Sequence, residues 1–491
     1  MSEHFDLCVI GSGPAGEKGA AQAAYFGKKV CLVERTPRPG GAAVNTGTIP
    51  SKTLRETALY FSGLRQRGMY GIEYRVKADL TVGDFMYRER AVVESAWQHI
   101  EQNLARHGIT RLQGRARFTD AGTLEVTRFK EPARTVTADV FLVATGAQPQ
   151  HPAEIPFDGR VVVDSDDVLS LMAIPRRLVV IGGGVIGCEY AGTFAALGAR
   201  VTLVNAKERL LMQLDADLSD ALRQEMTRRL GVQVMLDTGV SGVLVENDVA
   251  TVSLTDGRTV DADCVLYCAG REGNVAGLGL EAAGVRTNPR GFVQVDAHFR
   301  THNPRIFAAG DVIGFPALAS TAMEQARVAM CHAFDLKYKT AISNVLPYGV
   351  WSVPEVATVG LGEDDARGQG INVEIGKAWF RDNPRGQIIG DTEGFVKLVF
   401  RVSDQRIIGA SVVGEGACEL IHIPAAVIQL QGSLDYFIQC VFNYPTLSDA
   451  FKYAAYDGLQ RLQRRVSAAM TARSHTPADT GTTPPAAPGT A

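Results

Sequence analysis

Two stretches of this chain place glycine where a backbone could approach a phosphate. Gly11-Ser12-Gly13-Pro14-Ala15-Gly16 and Gly182-Gly183-Gly184-Val185-Ile186-Gly187 both read G-x-G-x-x-G. Each follows an apolar run and precedes a helix-forming stretch. Glycines there let the backbone close on a pyrophosphate, and the helix start offers unpaired N–H groups and a favourable dipole. One such motif is weak evidence; two in the same context are strong. Glu34 ends the next apolar run after the first motif, where a carboxylate accepts from a ribose hydroxyl. At the matching place after the second motif stands Asn205, followed by Ala206-Lys207-Glu208-Arg209. An acid there would hold the 2′-hydroxyl of NAD and repel the 2′-phosphate of NADP. Unit charges ~4 Å apart interact by ~1 kcal/mol in bulk water and ~4 kcal/mol at an effective dielectric of ~20. Neutral Asn205 removes that repulsion and can bond either group, and Lys207 or Arg209 is available to a phosphate. The second site is therefore expected to accept both NAD and NADP.

Those glycines work only at strand–turn–helix junctions, and the surrounding residues supply them. Phe5–Ile10 reads as a strand, the Ala-rich segment ending near Gly27 as a helix, and Lys29–Glu34 as a second strand. Leu178–Ile181, a helix to Gly198 and Arg200–Val204 repeat the unit. The stretch from Leu178 to Gly198 is the longest apolar one; Glu189 and its glycines mark it as buried strand, turn and helix rather than a membrane span. Residues from about Ala58 to Arg106 read as helical and from about Thr110 to Thr145 as short strands. Beyond Leu346 come strand-like runs at Gly349–Ala357 and Phe395–Phe400, then helices near 416–431 and 446–466. From Ser467 the composition turns to Ala, Thr, Pro and Ser, which predicts a disordered tail.

The chain has 491 residues, too many for one core, and a net charge of −3 without a dense Lys/Arg run. Nucleic acid and anionic membrane are thus excluded as main partners. The first residues lack the basic and apolar segments of a signal peptide. The eight cysteines, Cys8, Cys31, Cys188, Cys264, Cys268, Cys331, Cys418 and Cys440, are scattered with no C-x-x-C. They read as small core hydrophobes in a reducing cytoplasm, and no metal-ligand spacing is present.

The segment from Gly40 to Lys52, Gly-Gly-Ala-Ala-Val-Asn-Thr-Gly-Thr-Ile-Pro-Ser-Lys, resembles the redox-disulfide motif of the flavin-dependent disulfide reductases. There two cysteines five apart precede Ile-Pro-Ser-Lys; here the slots hold Ala43 and Thr48, and disulfide chemistry needs a thiolate. Phe141–Gly146 is similar to the Ala-Thr-Gly segment of that superfamily, and Ile306–Asp311 to the one whose aspartate binds the flavin ribityl chain. Cys268–Asn274 is similar to the segment joining the nicotinamide domain back to the flavin domain, with Glu272-Gly273 replacing its variable residue and proline. The family's C-terminal His-Pro-Thr-x-x-Glu is replaced by Tyr444-Pro445-Thr446-Leu447-Ser448-Asp449. A tyrosine of pKa ~10 does not stand in for a histidine near ~6.5 as a base at neutral pH.

The resemblance, to the class-I pyridine nucleotide-disulfide oxidoreductase superfamily, runs from about Phe5 to Leu462. It implies an α/β fold with two Rossmann-like dinucleotide-binding domains, one for FAD and one for NAD(P), plus a C-terminal α+β dimerisation domain. The expected division is 1–155 with 276–345 for FAD, 156–275 for NAD(P), 346–466 for dimerisation and 467–491 for the tail. Lys52 and Glu189 inherit the pair beside the flavin N5, where a cation stabilises the anionic reduced flavin and a carboxylate orients it. The first site is expected to comprise Gly11, Gly13, Ala15, Gly16, Glu34, Arg35, Gly40, Gly41, Thr48, Lys52, Gly114, Thr145, Gly146, Asp311 and Ala319. The second is expected to comprise Gly182, Gly184, Val185, Ile186, Gly187, Asn205, Arg209 and Gly270.

Within that superfamily the pattern is similar to the soluble, FAD-containing pyridine nucleotide transhydrogenases. They share the segment from Gly47 to Lys52, the asparagine ending the second ribose strand, and Phe442-Asn443-Tyr444-Pro445-Thr446. These enzymes commonly keep the first cysteine of the pair, and Ala43 departs from that. The resemblance implies hydride transfer from NADPH to NAD by a ping-pong route without a redox disulfide, in a cytoplasmic homodimer or higher homo-oligomer. The alternative is a diaphorase-type NAD(P)H dehydrogenase reducing a quinone or another small acceptor.

Overall fold

Strands whose residues are apolar without alternation are covered on both faces, the condition of a parallel sheet flanked by helices. In the computed structural model, which describes residues 3–63 and 81–474, those runs build two such sheets. The chain divides into two compact units, Met1–Val356 and Ala357–Ala491.

In the first unit the strand Glu3–Ile10 lies between Val30–Glu34 and Arg134–Val143 and is parallel to both, with Leu7 opposite Val30 on one side and Val140 on the other. Thr110–Gln113 extends one side in parallel, and Ile306–Ala308 pairs in parallel with Arg134–Val143. The antiparallel strands Thr123–Thr127 and Arg115–Asp120 complete the sheet. Strand order reverses beside Glu3–Ile10, and at such a switch point a crevice opens beyond the carboxyl ends of the strands. The first glycine turn leaves Ile10 at that place, and Thr145-Gly146 leaves Val143 next to it.

The second sheet repeats the design. Arg177–Ile181 lies between Arg200–Val204 and Cys264–Tyr267, with Gln233–Met235 and Val162–Asp164 at the edges and every pairing parallel. A small antiparallel sheet, Val240–Glu246, Val249–Leu254 and Thr259–Ala262, packs its apolar side into the same core. The apolar stretch from Leu178 is a buried strand, a turn and the helix Val185–Ala196, as its glycines predict.

The expected helical region at 58–106 is the helices Thr48–Ser62 and Val82–Arg106; residues 64–80 lie outside the described ones. The strand expected over Gly349–Ala357 is interrupted: Tyr348–Val350 and Val356–Gly360 are extended, and Trp351 to Glu355 is not. Pro354 has no N–H for a ladder, and Ser352 points its hydroxyl at the Pro354 carbonyl, 2.6 Å away.

The second unit holds the sheet strands Val356–Gly360, Ile407–Val413, Phe395–Arg401 and Val373–Trp379 in that order. Phe395–Arg401 is antiparallel to both of its neighbours. A long helix, Ala450–Ser474, covers this sheet with Phe451, Ala454 and Ala455. It continues past residue 466, where the sequence reading ends the fold: Ser467 to Ser474 extend the last turns, with alanine and arginine as helix formers. The remaining part of the expected tail, 475–491, lies outside the described residues.

Backbone meets backbone where helix and sheet cross in this unit. A Cβ added to Gly376 would fall 1.9 Å from the Ala454 carbonyl oxygen and 2.9 Å from the Gly458 nitrogen. No rotamer relieves a clash with main-chain atoms, so Gly376→Ala should lift the helix from the strand. The expected cost is about 3 kcal/mol, at the upper end for overpacking. Thermal unfolding followed by circular dichroism should show the transition lowered by roughly 5–10 °C; an unchanged melt would mean that the helix is not seated on the strand at this glycine.

Candidate functional site

The two glycine turns are built alike. Gly11 donates its N–H to the Val33 carbonyl at 2.8 Å and Gly182 to the Val204 carbonyl at 2.9 Å, locking each turn to the neighbouring strand. A Cβ on Gly16 or on Gly187 would lie 1.9 Å from the carbonyl oxygen of Gly11 or of Gly182, respectively, so only glycine lets each helix start this close to its strand. Gly13 and Gly184 are the N-cap residues of helices beginning at Pro14 and Val185; Ala15 and Gly16 fall in the first of these first turns, and Ile186 and Gly187 in the second.

Around the first turn the expected residues converge from separate parts of the chain. Gly40 donates to the Ser12 carbonyl at 3.1 Å, and Gly41 approaches Gly13 so closely that a Cβ would stand 2.8 Å from its Cα. Glu34 is buried and accepts four hydrogen bonds, from the N–H and hydroxyl of Ser12 and from the N–H and hydroxyl of Thr36. Gly114 donates to the Glu34 carbonyl at 2.9 Å, while Arg35 is exposed. Thr145-Gly146 is tied down by Asn274, whose side chain donates to the Thr145 carbonyl and whose N–H donates to the Gly146 carbonyl. Arg271–Gly273 pairs antiparallel with Ala147–Pro149, so Glu272-Gly273 forms a strand there. Ala319 begins the helix Ala319–Ala333.

Among the described residues, two polar side chains in this region lack partners. The Thr145 hydroxyl is buried without a hydrogen bond. Asp311, just past the end of Ile306–Ala308, has no hydrogen-bond partner for its carboxylate among the described residues. Burial holds the Asp311 carboxyl above its ordinary range, with the nearby Arg271 charge opposing. A half-buried carboxylate of this kind is costly unless a donor reaches it. The ribityl hydroxyls of FAD carry such donors, so the residues present fit that cofactor.

Lys52 is the fifth residue of the helix Thr48–Ser62, whose first residue is Thr48. Its Nζ stands 2.7 and 2.9 Å from the two carboxylate oxygens of Glu189, on the helix Val185–Ala196. The Glu189 side chain is 8% exposed and that of Lys52 25%. Glu189 also accepts the Trp351 N–H at 3.0 Å, and Nζ sits 5.1 Å from the centroid of the Trp351 ring. One turn along the helix from Lys52, buried Arg55 donates to the Ser352 carbonyl at 3.0 Å and meets Glu355 at 3.3 Å. The break at 351–355 is therefore a bracket around the ion pair. Gly192 makes room for it: a Cβ there would stand 3.3 Å from the Val353 nitrogen.

In the second turn, Gly182 lies against the chain just before Gly270: a Cβ on Gly182 would meet Ala269 at 3.0 Å. Asn205 is buried, and both of its amide hydrogens are used within the protein. Its Oδ1 accepts the Gly183 N–H at 3.1 Å, and its Nδ2 donates to the carbonyls of Lys207 at 3.2 Å and Arg209 at 2.9 Å. Lys207 is exposed, and Arg209 is half-buried with its guanidinium near the Met212 carbonyl. The free amide that the sequence reading gives Asn205 is thus committed to its own loop.

No thiol takes the place of Ala43 and Thr48. All eight cysteines are free. Burial pushes the Cys264 and Cys268 thiols up to about 12 and raises that of Cys188 further, which keeps them protonated and inert. Tyr444 is 72% exposed and Asp449 is buried, with no hydrogen bond between them. Trp351 and Arg55 are functional candidates that sequence reading misses; Pro354 closing a strand-like run was the available signal. Among the described residues no group of three or more side chains could hold a metal ion, and no helix is long and apolar enough to cross a membrane.

Residues 5–326 match the family described as pyridine nucleotide-disulphide oxidoreductase, and residues 346–455 match its dimerisation domain. The soluble pyridine nucleotide transhydrogenase of Mycobacterium bovis is 41% identical over 460 residues, covering 94% of this chain and 98% of its own. The protein of the same name from Chromohalobacter salexigens is 37% identical, covering 94% of this chain and 100% of its own. Among solved structures, LpdA from Mycobacterium tuberculosis superposes with a TM-score of 0.85 at 30% identity, covering 92% of this chain and 99% of that one. The HOCl-induced flavoprotein disulfide reductase RclA from Escherichia coli gives a TM-score of 0.82 at 26% identity, covering 91% and 98%. With two matched regions that together span most of its length, the chain belongs to the pyridine nucleotide-disulphide oxidoreductase family.

Proposed function

We propose that this protein is an FAD-dependent transhydrogenase that moves hydride from NADPH to NAD+, using one nicotinamide site for both nucleotides in turn and working as a cytoplasmic homo-oligomer. The observation that carries the reading is the Lys52–Glu189 ion pair, intact and bracketed, beside a segment whose thiol positions are Ala43 and Thr48. The names of the relatives at 37–41% identity agree with it, and the match to a dimerisation domain supports the oligomer. FAD, when bound, would supply a two-electron carrier able to take up a hydride and give it back.

The chain's own residues do the rest. The first glycine turn would receive the FAD pyrophosphate, with Glu34 bracing it through Ser12 and Thr36, and Asp311 and Thr145 would meet the ribityl hydroxyls. The second turn receives the nicotinamide nucleotide. Lys52 holds a positive charge where negative charge develops, and such preorganised charge in a water-poor site stabilises a transition state without reorganisation. Glu189 keeps that ammonium oriented, and Trp351 fixes Glu189 through its N–H. With no thiolate at positions 43 and 48, the electrons have no protein acceptor there, and a second nucleotide is the acceptor available to the same site.

Anaerobic titration is the direct test. NADPH should bleach the visible flavin band, and NAD+ added afterwards should restore it while NADH appears. Steady-state double-reciprocal plots should be parallel. Bleaching that NAD+ fails to reverse would point to a quinone or other small acceptor instead, and intersecting lines would sink the single-site scheme.

Lys52→Met should slow NADPH oxidation by roughly 100-fold, the usual scale for removing one preorganised electrostatic partner, with FAD content unchanged. A loss under about threefold would remove Lys52 from the chemistry.

Asp311 gives a pH signature. Its carboxyl is raised in the cofactor-free protein by burial, and hydroxyl donors from a bound ligand favour the charged form, lowering it. Binding thus releases a proton below the raised value. FAD affinity, measured by equilibrium binding to the apoprotein, should be level near neutrality and fall as pH drops through that raised carboxylate range. Asp311→Asn should abolish the slope; an unchanged slope would assign the proton to another group.

A further inference from the structure

The duplicated turns differ at one point that decides how the second nucleotide is read. In both, the N–H of the second turn residue donates to the side chain that ends the following strand, 22 residues later: Ser12 to Glu34 at 3.0 Å, and Gly183 to Asn205 at 3.1 Å. Beyond that shared contact the loops show opposite backbone polarity. The first presents donors, the Thr36 N–H and hydroxyl, to the outer oxygen of Glu34. The second presents acceptors, the carbonyls of Lys207 and Arg209, to the Nδ2 of Asn205. A carboxylate at 205 would face two carbonyl oxygens with nothing to donate. Asparagine here is the residue that this loop's backbone requires, over and above being an acid removed.

The same staple couples the loop to the phosphate turn. Leu211 returns its N–H to the Gly183 carbonyl at 2.9 Å, so Gly183 is held from both sides by the segment 205–211. Space is tight as well: a Cβ on Gly183 would lie 2.7 Å from Asn205 Cγ and 2.8 Å from Leu210 Cδ2. With both amide hydrogens on Lys207 and Arg209 carbonyls, Asn205 has no donor left for a ribose or a phosphate. Selection of the 2′ substituent then falls to the side chains the loop carries.

We infer that Asn205 is a positioning residue for nucleotide choice: it staples the 205–209 loop to the phosphate turn so that Lys207 and Arg209 meet a 2′-phosphate, and it does not itself contact the nucleotide. This deepens the dual-nucleotide reading given above and rests on it.

A mutant cycle on the FAD-loaded protein, read by calorimetric binding of 5′-AMP and 2′,5′-ADP, tests it without turnover. The wild type should bind 2′,5′-ADP about tenfold or more tightly than 5′-AMP, the scale of hydrogen bonds to a charged group. Asn205→Ala should erase most of that preference and leave 5′-AMP binding within about threefold. Combining it with Lys207→Gln and Arg209→Gln should cost no more than the two basic substitutions alone, because residues acting through one another are non-additive. Additive losses, or an Asn205→Ala that weakens both probes equally, would show direct contact and overturn the inference. If Asn205→Ala loses FAD, Asn205→Ser, which keeps one donor, carries the same cycle. A wild type that prefers one probe by more than about a thousandfold would sink the dual-nucleotide reading itself, whereas equal binding of the two probes, or a preference with an additive cycle, sinks only the staple.

Discussion

The ion pair between Lys52 and Glu189 is the constraint around which the first unit is arranged. Both charges are largely withdrawn from water, and a carboxylate so placed is tolerable only with good geometry and its remaining lone pairs satisfied. Two Nζ contacts and the Trp351 N–H meet that requirement. The pair also joins elements far apart in the chain: a helix that begins at Thr48, and a helix that opens from the second glycine turn. Arg55 and the interrupted strand at 351–355 hold the third side. Around the pair the chain sets a glycine at 192, a break in a strand and a buried arginine one turn away.

Duplication explains most of what else the unit contains, and divergence between the copies explains its asymmetry. Two sheets of like topology each set a glycine turn at a strand-order reversal. The copies share the Gly-to-strand bond, the crowded helix start and the N–H held by the strand-ending side chain. They part where the loop that follows turns its backbone over. Glu34 therefore sits among donors and Asn205 among acceptors, and each side chain suits the loop that surrounds it. Residue type and backbone polarity match in each copy, because a mismatch would leave buried polar atoms opposed.

Much of this was legible in the sequence for a physical reason: the phosphate turns depend on glycines at fixed spacing, and the strands flanking them on continuous apolar runs. Both signals are local. The approach of Lys52 to Glu189 was legible only through resemblance, since 137 residues separate them. The Trp351 bond to Glu189 was not legible at all, because it comes through a backbone N–H, and any residue other than proline has one. Asn205 illustrates the limit most clearly. Its identity suggested a side chain offered to the nucleotide, but sequence does not tell which way a loop's carbonyls face. The helix end at residue 466 failed similarly: alanine-rich composition fits a tail and a helix alike, and the difference lies in continuation from a well-anchored helix.

The altered thiol positions gain meaning from the thiols that remain. Eight cysteines are present, and none forms a disulfide. Cys188 and Cys268 lie beneath the second glycine turn, where their sulfurs approach the carbonyls of Gly183 and Ile181 at 3.6 and 3.3 Å. A thiolate there would face carbonyl oxygens in an apolar setting, which is why burial raises both thiols. These sulfurs are packing atoms, chosen for size and weak donor character. Neither of these two sulfurs can stand in for a thiolate at positions 43 and 48.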